Sequence, residues 1–125
     1  MTENEISYKI RGAIFEIYNT VGPGLLESVY EAALYYELKK EGLKVERQIE
    51  IPFLYKDIKL DVAYRLDLII EDKVIVELKS VTDFSSLHFK QLTTYLRLTN
   101  LKLGLLVNFN TSNMREGIAR IVNNL

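Results

Sequence analysis

An aspartate, a glutamate and a lysine carry the strongest chemical signal in this sequence of 125 residues. Asp67 lies inside the apolar run 66–70, and Glu77 and Lys79 follow the apolar run 74–76. Charged side chains within nearly continuous apolar strands are costly unless they are paired or bind a metal ion. Mg²⁺ favours one or two carboxylates, completed by water and phosphate oxygens. The pattern therefore predicts a divalent-metal centre that acts on a phosphate ester.

Lys79 follows Glu77 by two residues, so the two side chains should project from the same face of a strand. An ammonium group there could orient the attacking water, assist its deprotonation or stabilise the charge that develops on the phosphoryl group. A glutamate and a lysine in this spacing are also common on edge strands. A solvated strand edge is therefore the alternative interpretation of these two residues.

The length of the polar connection at residues 71–73 decides whether the two carboxylates can meet. Opposed residues of an antiparallel pair point to the same face, with Cβ atoms about 5 Å apart. If Ile70 faces Val74, Asp67 lies directly opposite Glu77. A two-residue turn would instead place the carboxylates on opposite faces of the sheet. The proposed centre therefore requires a connection of odd length.

A predicted helix after these strands contributes a second group of polar residues. His88, Gln91 and Tyr95 share one face of that helix because they are spaced three and seven residues apart. Gln91 and Tyr95 could hydrogen-bond a phosphate, a water molecule or Lys79, although packing and solvation are an equally simple explanation. We expect His88, the only histidine, to be a surface or hydrogen-bonded residue rather than a ligand.

Glu27 lies in the first turn of another predicted helix, directly after the Gly22-Pro23-Gly24 break. A carboxylate in that position interacts favourably with the helix dipole, which would explain the residue without a catalytic role. The alternative is a third acidic group that reaches the metal. Tyr30 and Glu31, one turn further along, could line the same cleft.

The hydrophobic periodicity predicts the order helix, helix, three strands, helix, strand, helix in a single domain at residues 1–125. The predicted helices lie at about residues 5–19, 25–41, 85–100 and from 113 to the end, and the strands lie within 45–70 and at 74–79 and 103–109. The first three strands should pair antiparallel, and the last should add in parallel through its helical crossover. Pro52 suggests an edge strand or a bulge. The fold class is therefore α/β, a mixed sheet flanked by helices.

The charge balance limits how the protein could bind nucleic acid. The chain has 16 Lys and Arg against 17 Asp and Glu, a net charge of −1. Non-specific nucleic-acid binders are usually basic, because neutralising phosphates supplies most of their affinity. Any contact with DNA must therefore come from local patches, from metal ions or from a dimer. A homodimer is expected on this ground, and Tyr35, Tyr36 and Tyr55 could form its interface.

The chain has no cysteine, which excludes disulfides and thiolate metal sites. A reducing, cytoplasmic compartment fits this composition. The first ten residues lack the pattern of a signal peptide, and no apolar run approaches the roughly 20 residues that would span a membrane. We therefore expect a cytoplasmic protein without a membrane partner.

Several motifs are similar to those of a known family. The segment Gly24-Leu-Leu-Glu27-Ser-Val-Tyr30 resembles the signature of the GxxExxY proteins, which belong to the PD-(D/E)XK nuclease superfamily. The resemblance covers roughly residues 5–125 and continues through four further motifs. These are Arg65-Leu-Asp67-Leu, Val76-Glu77-Leu-Lys79, Gln91-Leu-Thr-Thr-Tyr95-Leu-Arg97-Leu and Gly104-Leu-Leu-Val-Asn108-Phe109.

The resemblance implies a restriction-endonuclease-like core with the order α-β-β-β-α-β, here with an extra helix at each end. It implies a Mg²⁺ or Mn²⁺ ion held by Asp67, Glu77 and the Leu78 carbonyl, with Glu27 binding directly or through water. Lys79 would position the attacking water. The implied catalytic residues also include Gln91 and Tyr95, the Q-x-x-x-Y motif of the RecB-like branch. Leu66 departs from the namesake motif, because a proline usually precedes the aspartate.

Three functions are compatible with these observations. The first is a metal-dependent nuclease, with DNA as a more probable substrate than RNA. The second is a non-catalytic binding or assembly module that keeps the fold, which the small size and acidic balance favour. The third is a hydrolase for a smaller phosphate ester, which would use the same residues.

Overall fold

The computed structural model describes residues 1–125 and contains three helices and five strands. In chain order the elements are α1 (Glu3–Val21), α2 (Glu27–Lys40), β1 (Val45–Tyr55), β2 (Ile58–Ile70), β3 (Val74–Lys79), α3 (Ser86–Thr99), β4 (Leu103–Asn108) and β5 (Ile118–Val122). None of the helices combines the length and the apolar composition that crossing a membrane would require.

Local signals explain where the helices begin and end. Thr2 and Glu5 form a capping box, in which each side chain accepts a hydrogen bond from the other residue's backbone N–H. Helix α1 ends at Gly22, whose φ of 69° suits a residue without a side chain. At the start of α3, the Ser85 N–H donates to His88 Nδ1 at 3.1 Å. His88 is therefore a hydrogen-bonded capping residue, as the sequence led us to expect.

The five strands form one mixed sheet in the order β1-β2-β3-β4-β5. The first three strands pair antiparallel, and β4 adds parallel to β3 after the α3 crossover. These pairings confirm the predicted mixed α/β architecture. Strand β1 is an edge strand, and its register with β2 shifts between Pro52 and Leu54. Pro52 therefore lies in an edge strand and beside an irregularity in its pairing, which are the two features that a proline suggested.

Apolar clusters pack on the two faces of the sheet. The larger cluster has 20 buried residues and joins α1 and α2 to the sheet. The smaller cluster has 7 buried residues and includes Leu92, Tyr95 and Leu96 from α3. The sheet thus separates two helical layers, and the polar residues of interest lie near the end of β3 and the part of β2 beside it.

Strands β1 and β2 change the face that they bury at Gln48 and Asp67. Val45 and Leu68 belong to the larger cluster, whereas Ile49 and Leu66 pack in the smaller cluster on the α3 side. In a regular strand, residues two apart share a face. The apolar residues alternate in the sequence up to Leu68 and would place Leu66 and Leu68 on one face, but the structure places them in different clusters. Gln48, whose φ is 50°, is the local departure that accompanies the change in β1.

The predicted C-terminal helix from about Asn113 was also wrong, because residues 118–122 form strand β5, antiparallel to β4. The spacing of Ile118, Ile121 and Val122 suits a helix, but these β-branched residues also favour strands. Pairing with β5 satisfies backbone groups of β4 that would otherwise lack partners. Gly117 permits the connection, since a Cβ there would lie 2.4 Å from the Asn108 carbonyl oxygen.

Candidate active site

The hairpin between β2 and β3 has the register that the proposed centre requires. Ile70 pairs with Val74, and Leu68 pairs with Val76. The chain turns through Glu71 and Asp72, whose φ values are 53° and 57°. Extending the same register by one residue in each strand places Asp67 opposite Glu77.

Beyond the pair Leu68 and Val76, the hydrogen bonds between β2 and β3 run from backbone N–H groups to side-chain carboxylates, and no longer from backbone to backbone. The Asp67 N–H donates to Glu77 Oε1 at 2.9 Å, and the Leu78 N–H donates to Asp67 Oδ2 at 2.8 Å. Each carboxylate therefore reaches across to the backbone of the opposite strand. This interlocked arrangement fixes both carboxylates between the strands and brings their charges together.

Burial and mutual repulsion perturb both acids. Glu77 is only 5% exposed, and burial followed by the charge of Asp67 raises its pKa to about 8. Burial also raises the pKa of Asp67, with a further contribution from the negative charge of Glu31. Lys79 acts in the opposite direction on both carboxyl groups but does not reverse either shift. The positive charge of Lys79 is therefore too small to offset the burial and the mutual repulsion of the two carboxyl groups.

Glu27 connects the start of α2 to the end of β3. Its Oε2 accepts a hydrogen bond from the Ser80 N–H at 2.9 Å. The turn before it is held by Tyr30, whose hydroxyl donates to the Gly22 carbonyl at 2.6 Å and accepts from the Leu25 N–H at 3.1 Å. Tyr30 is thus a buried residue that positions Glu27, rather than a residue lining the cleft.

A cleft of about 260 Å³ lies beside the carboxylate pair. Its lining residues are Glu27, Ser28, Glu31, Gln48, Asp67 and Leu78. The structure therefore brings together three of the four predicted metal ligands around one space, and the fourth, Glu77, contacts Asp67 directly. A larger groove of about 590 Å³ runs along the β1–β2 hairpin, but neither carboxylate of the pair lines it.

One residue of β1, Gln48, lines this cleft, and its neighbour Arg47 contacts the cleft residue Glu31, although the sequence singled out neither. The buried carboxylate of Glu31 accepts hydrogen bonds from Arg47, at 3.2 and 3.0 Å, and from the Gln48 amide. Glu31 therefore lines the cleft, as its position after Glu27 suggested. Finding Gln48 would have required the β1–β2 register, which the irregularity at Pro52 hides from the sequence.

Tyr95 and Gln91 approach the acids from α3. Burial, followed by the charges of Glu77 and Asp67, raises the pKa of Tyr95 to about 12. Its hydroxyl therefore stays protonated and can only donate or accept a hydrogen bond, not serve as a base near neutral pH. Gln91 lies near enough to Tyr95 to hold its pKa back slightly. The sequence suggested that both residues hydrogen-bond a phosphate, a water molecule or Lys79, and the structure places Tyr95 near the two acids and Gln91 near Tyr95.

The donor set fits one kind of metal ion better than others. No group of three or more His, Cys, Asp or Glu side chains converges where an ion could be held. Zinc sites usually require three or four such ligands, so they do not fit. Mg²⁺ and Mn²⁺ accept one or two carboxylates with carbonyl and water oxygens, and Asp67 and Glu77 each retain one carboxylate oxygen outside the backbone hydrogen bonds described above. The buried, repelling pair therefore suits a hard divalent cation.

Comparison with known proteins points in the same direction. The family model described as PD-(D/E)XK nuclease superfamily matches residues 4–121. A solved structure reported as "Crystal structure of SSO0001" resembles this fold with a TM-score of 0.59 and 22% sequence identity. That match covers 78% of this chain and 50% of the other, so this chain spans about half the length of that protein. No match was found among curated proteins.

Proposed function

The chain belongs to the PD-(D/E)XK nuclease superfamily, and from this premise we propose that it is a nuclease that hydrolyses DNA with Mg²⁺ or Mn²⁺. The observation that carries the proposal is the interlocked pair of Asp67 and Glu77, with Lys79 two residues further along the same strand. A stable fold without a metal role has no need of two opposed, buried carboxylates, because their repulsion is destabilising.

Four oxygen donors would hold the ion. Asp67 and Glu77 supply carboxylates, Leu78 supplies its carbonyl, and Glu27 binds directly or through water. When bound, the ion would polarise the phosphoryl group and make the attacking water more acidic. Glu77 must first release the proton that its raised pKa retains near neutral pH, so ion binding and proton release are coupled.

The remaining residues act on the substrate. Lys79 orients the attacking water and stabilises the charge that develops on the phosphoryl oxygens. Tyr95, protonated throughout the neutral range, donates a hydrogen bond to the phosphate or to that water. Gln91, which lies near Tyr95, would orient the Tyr95 hydroxyl or bind the phosphate.

The direct test is cleavage of plasmid, single-stranded DNA and RNA by the purified protein with Mg²⁺ or Mn²⁺. Asp67→Asn and Lys79→Met should each lower the rate by about 100-fold or more. Lys102→Met, at an exposed lysine directly before β4, is the matched control and should keep full activity. Cleavage that persists in the Asp67 and Lys79 variants would come from a contaminant and would refute the proposal.

The second candidate is a non-catalytic binding or assembly module with the same fold. The net charge of −1 and the lack of a convergent three-residue metal site favour it. Calorimetry with Mg²⁺ and Mn²⁺ separates the two candidates. A protein that binds neither ion, or binds both equally well after Glu77→Ala, is a module rather than a nuclease.

Finer features of the proposal concern the branch and the assembly. The Gly24, Glu27 and Tyr30 motif supports the GxxExxY family, and the Gln91 and Tyr95 pair supports the RecB-like branch.

A homodimer would supply the positive charge and the contact area that one chain lacks for binding duplex DNA. Tyr36 and Tyr55 are 63% and 52% exposed and so are accessible for an interface. Light scattering that gives a mass near 14.5 kDa would contradict the dimer.

A further inference from the structure

Gln48 has a backbone conformation that is unusual for its position. It lies within strand β1, yet its φ is 50°, in the left-handed region that a non-glycine residue rarely adopts in a strand. The register with β2 is the same on both sides of it, since Arg47 pairs with Leu68 and Ile49 pairs with Leu66. Gln48 therefore falls opposite Asp67 without pairing to it. Strained residues of this kind cluster at functional sites.

The left-handed conformation places the Gln48 side chain at the cleft. Gln48 lines the same space of about 260 Å³ as Asp67 and Leu78. Asp67 thus has Glu77 on one side, in β3, and Gln48 on the other, in β1. Asp67 and the amide-bearing Gln48 line one space, and Glu77 is joined to it through its contact with Asp67.

Glu31 determines which end of the Gln48 amide faces that space. An ionised carboxylate only accepts hydrogen bonds, so it selects the amide nitrogen, and Gln48 Nε2 donates to Glu31 Oε1. Arg47 donates two hydrogen bonds to the other Glu31 oxygen and balances its charge. The side chain of Gln48 forms its hydrogen bond through Nε2, which leaves the carbonyl oxygen to bind a ligand in the cleft.

A second neutral oxygen, beside the Leu78 carbonyl, suits this centre better than a further carboxylate. Asp67 and Glu77 already balance the charge of one divalent ion, and Glu27 is already a third acidic group near them, so another carboxylate would add only repulsion. An amide carbonyl is a hard ligand for Mg²⁺ or Mn²⁺ and adds no charge. We propose that Gln48 is a further oxygen donor of the metal centre and that Glu31 is the positioning residue that orients its amide. This inference rests on the proposed metal-dependent function.

Mn²⁺ binding, followed by electron paramagnetic resonance and calorimetry, tests the role of Gln48 without an activity assay. Gln48→Met keeps the side-chain volume, and Gln48→Gly suits the positive φ. Both variants should unfold cooperatively, as circular dichroism will show, and both should bind Mn²⁺ about tenfold more weakly or worse. Glu50→Met, an exposed residue two positions along β1, is the control and should change the affinity by less than about twofold.

A double-mutant cycle tests the positioning role of Glu31. Glu31→Gln keeps one acceptor oxygen, which Arg47 can hold, and turns an NH2 donor toward Gln48 in place of the second oxygen. The Gln48 amide nitrogen then has no acceptor there, so the substitution should weaken Mn²⁺ binding when Gln48 is present. It should have no further effect in the Gln48→Met background, because the group that it orients is then gone. Equal losses in both backgrounds would show that Glu31 acts independently of Gln48 and would overturn this part of the inference.

The outcomes for Gln48 are separable from those for the proposed function. If the wild type binds Mn²⁺, Asp67→Asn abolishes binding and the folded Gln48 variants bind normally, the metal function stands and the inference about Gln48 is refuted. If the wild type binds no Mn²⁺, both are refuted. Loss of affinity in the folded Gln48 variants, with normal binding by Glu50→Met, supports the inference.

Discussion

The Glu77 carboxylate accepts a hydrogen bond at 2.9 Å from the backbone N–H of Asp67, the residue whose own negative charge opposes its ionisation. The same two residues thus stabilise the strand pairing through one contact and destabilise it through another. Which effect dominates depends on whether a proton or a cation neutralises the pair. The stability of the protein should therefore report on its metal centre.

The first prediction concerns stability without metal as a function of pH. The pKa of Glu77 is about 8 in the folded protein against an ordinary value of 4.5, so the folded state binds this proton more tightly than the unfolded chain does. The resulting stabilisation is complete below about pH 4.5 and is lost as the pH rises through about 8. The free energy of unfolding should fall by a few kcal/mol across this range.

Thermal unfolding in a chelating buffer at several pH values measures this loss. Glu77→Gln, which is neutral at every pH, should flatten the profile and unfold at a higher temperature than the wild type at about pH 8.5. Glu50→Gln removes an exposed carboxylate and should leave the profile as it is in the wild type. A wild-type profile as flat as that of Glu77→Gln would show that the buried pair does not hold the proton.

The second prediction concerns stabilisation by metal ions. A ligand that binds only the folded state at about 100 times its Kd adds about 2.7 kcal/mol to the free energy of unfolding. Mn²⁺ should stabilise the protein more at about pH 8 than at about pH 6, because Glu77 carries a competing proton at the lower pH. Unfolding curves with and without Mn²⁺ measure the difference. Asp67→Asn should abolish the stabilisation, and an equal effect at both pH values would argue against Glu77 as a ligand.

The third prediction tests the connection into β5. Gly117→Ala would place a Cβ 2.4 Å from the Asn108 carbonyl oxygen and 2.8 Å from the Met114 Cε atom. The backbone must shift to relieve this clash, which should destabilise the fold by about 1–3 kcal/mol. Gly12→Ala is the matched control, because an added Cβ there would meet no packed neighbour within 4 Å and alanine favours the helix more than glycine does. The free energy of unfolding of this variant should stay equal to that of the wild type or rise. Urea unfolding of both variants measures the contrast, and equal stabilities would contradict the β5 pairing.

The fourth prediction tests the hydroxyl that holds the turn before Glu27. Tyr30→Phe removes the hydrogen bonds to the Gly22 carbonyl and from the Leu25 N–H but keeps the ring stacked on Phe109. The free energy of unfolding should fall by about 1–3 kcal/mol, because partly buried backbone groups lose their hydrogen-bond partner. Tyr36→Phe, on an exposed side chain, should unfold like the wild type. If both variants behave alike, the Tyr30 hydroxyl does not hold the turn.

Sequence periodicity predicted most of the architecture because each long apolar pattern had a single consistent period. The β2–β3 register followed from the length of the connection at residues 71–73, which is a local property. The pattern failed where tertiary contacts decided the outcome. At Ile118 and Ile121 the spacing suited a helix, but pairing with β4 determined the structure. Between Leu66 and Leu68, the change of buried face accompanies a left-handed residue in the neighbouring strand.

The same distinction separates the parts of the candidate site. Asp67, Glu77 and Lys79 lie within one hairpin, so their proximity could be predicted from a single register. Gln48 comes from a strand whose register is interrupted near Pro52, and only the folded sheet shows that it faces Asp67. The sequence thus predicted the two acids that repel each other, Asp67 and Glu77, but not the neutral side chain of Gln48 beside them.

The contacts of the site also differ in how far apart their residues lie in the chain, and this has a consequence for folding. The Asp67 and Glu77 contact spans 10 residues, whereas the Glu27 and Ser80 contact spans 53. Local contacts close quickly, and distant ones pay a larger loop-closure entropy before they form. The hairpin should therefore bring its two acids together before α2 arrives to cover them. We expect the chain to fold faster in mildly acidic buffer, where the pair can take up a proton as the hairpin closes.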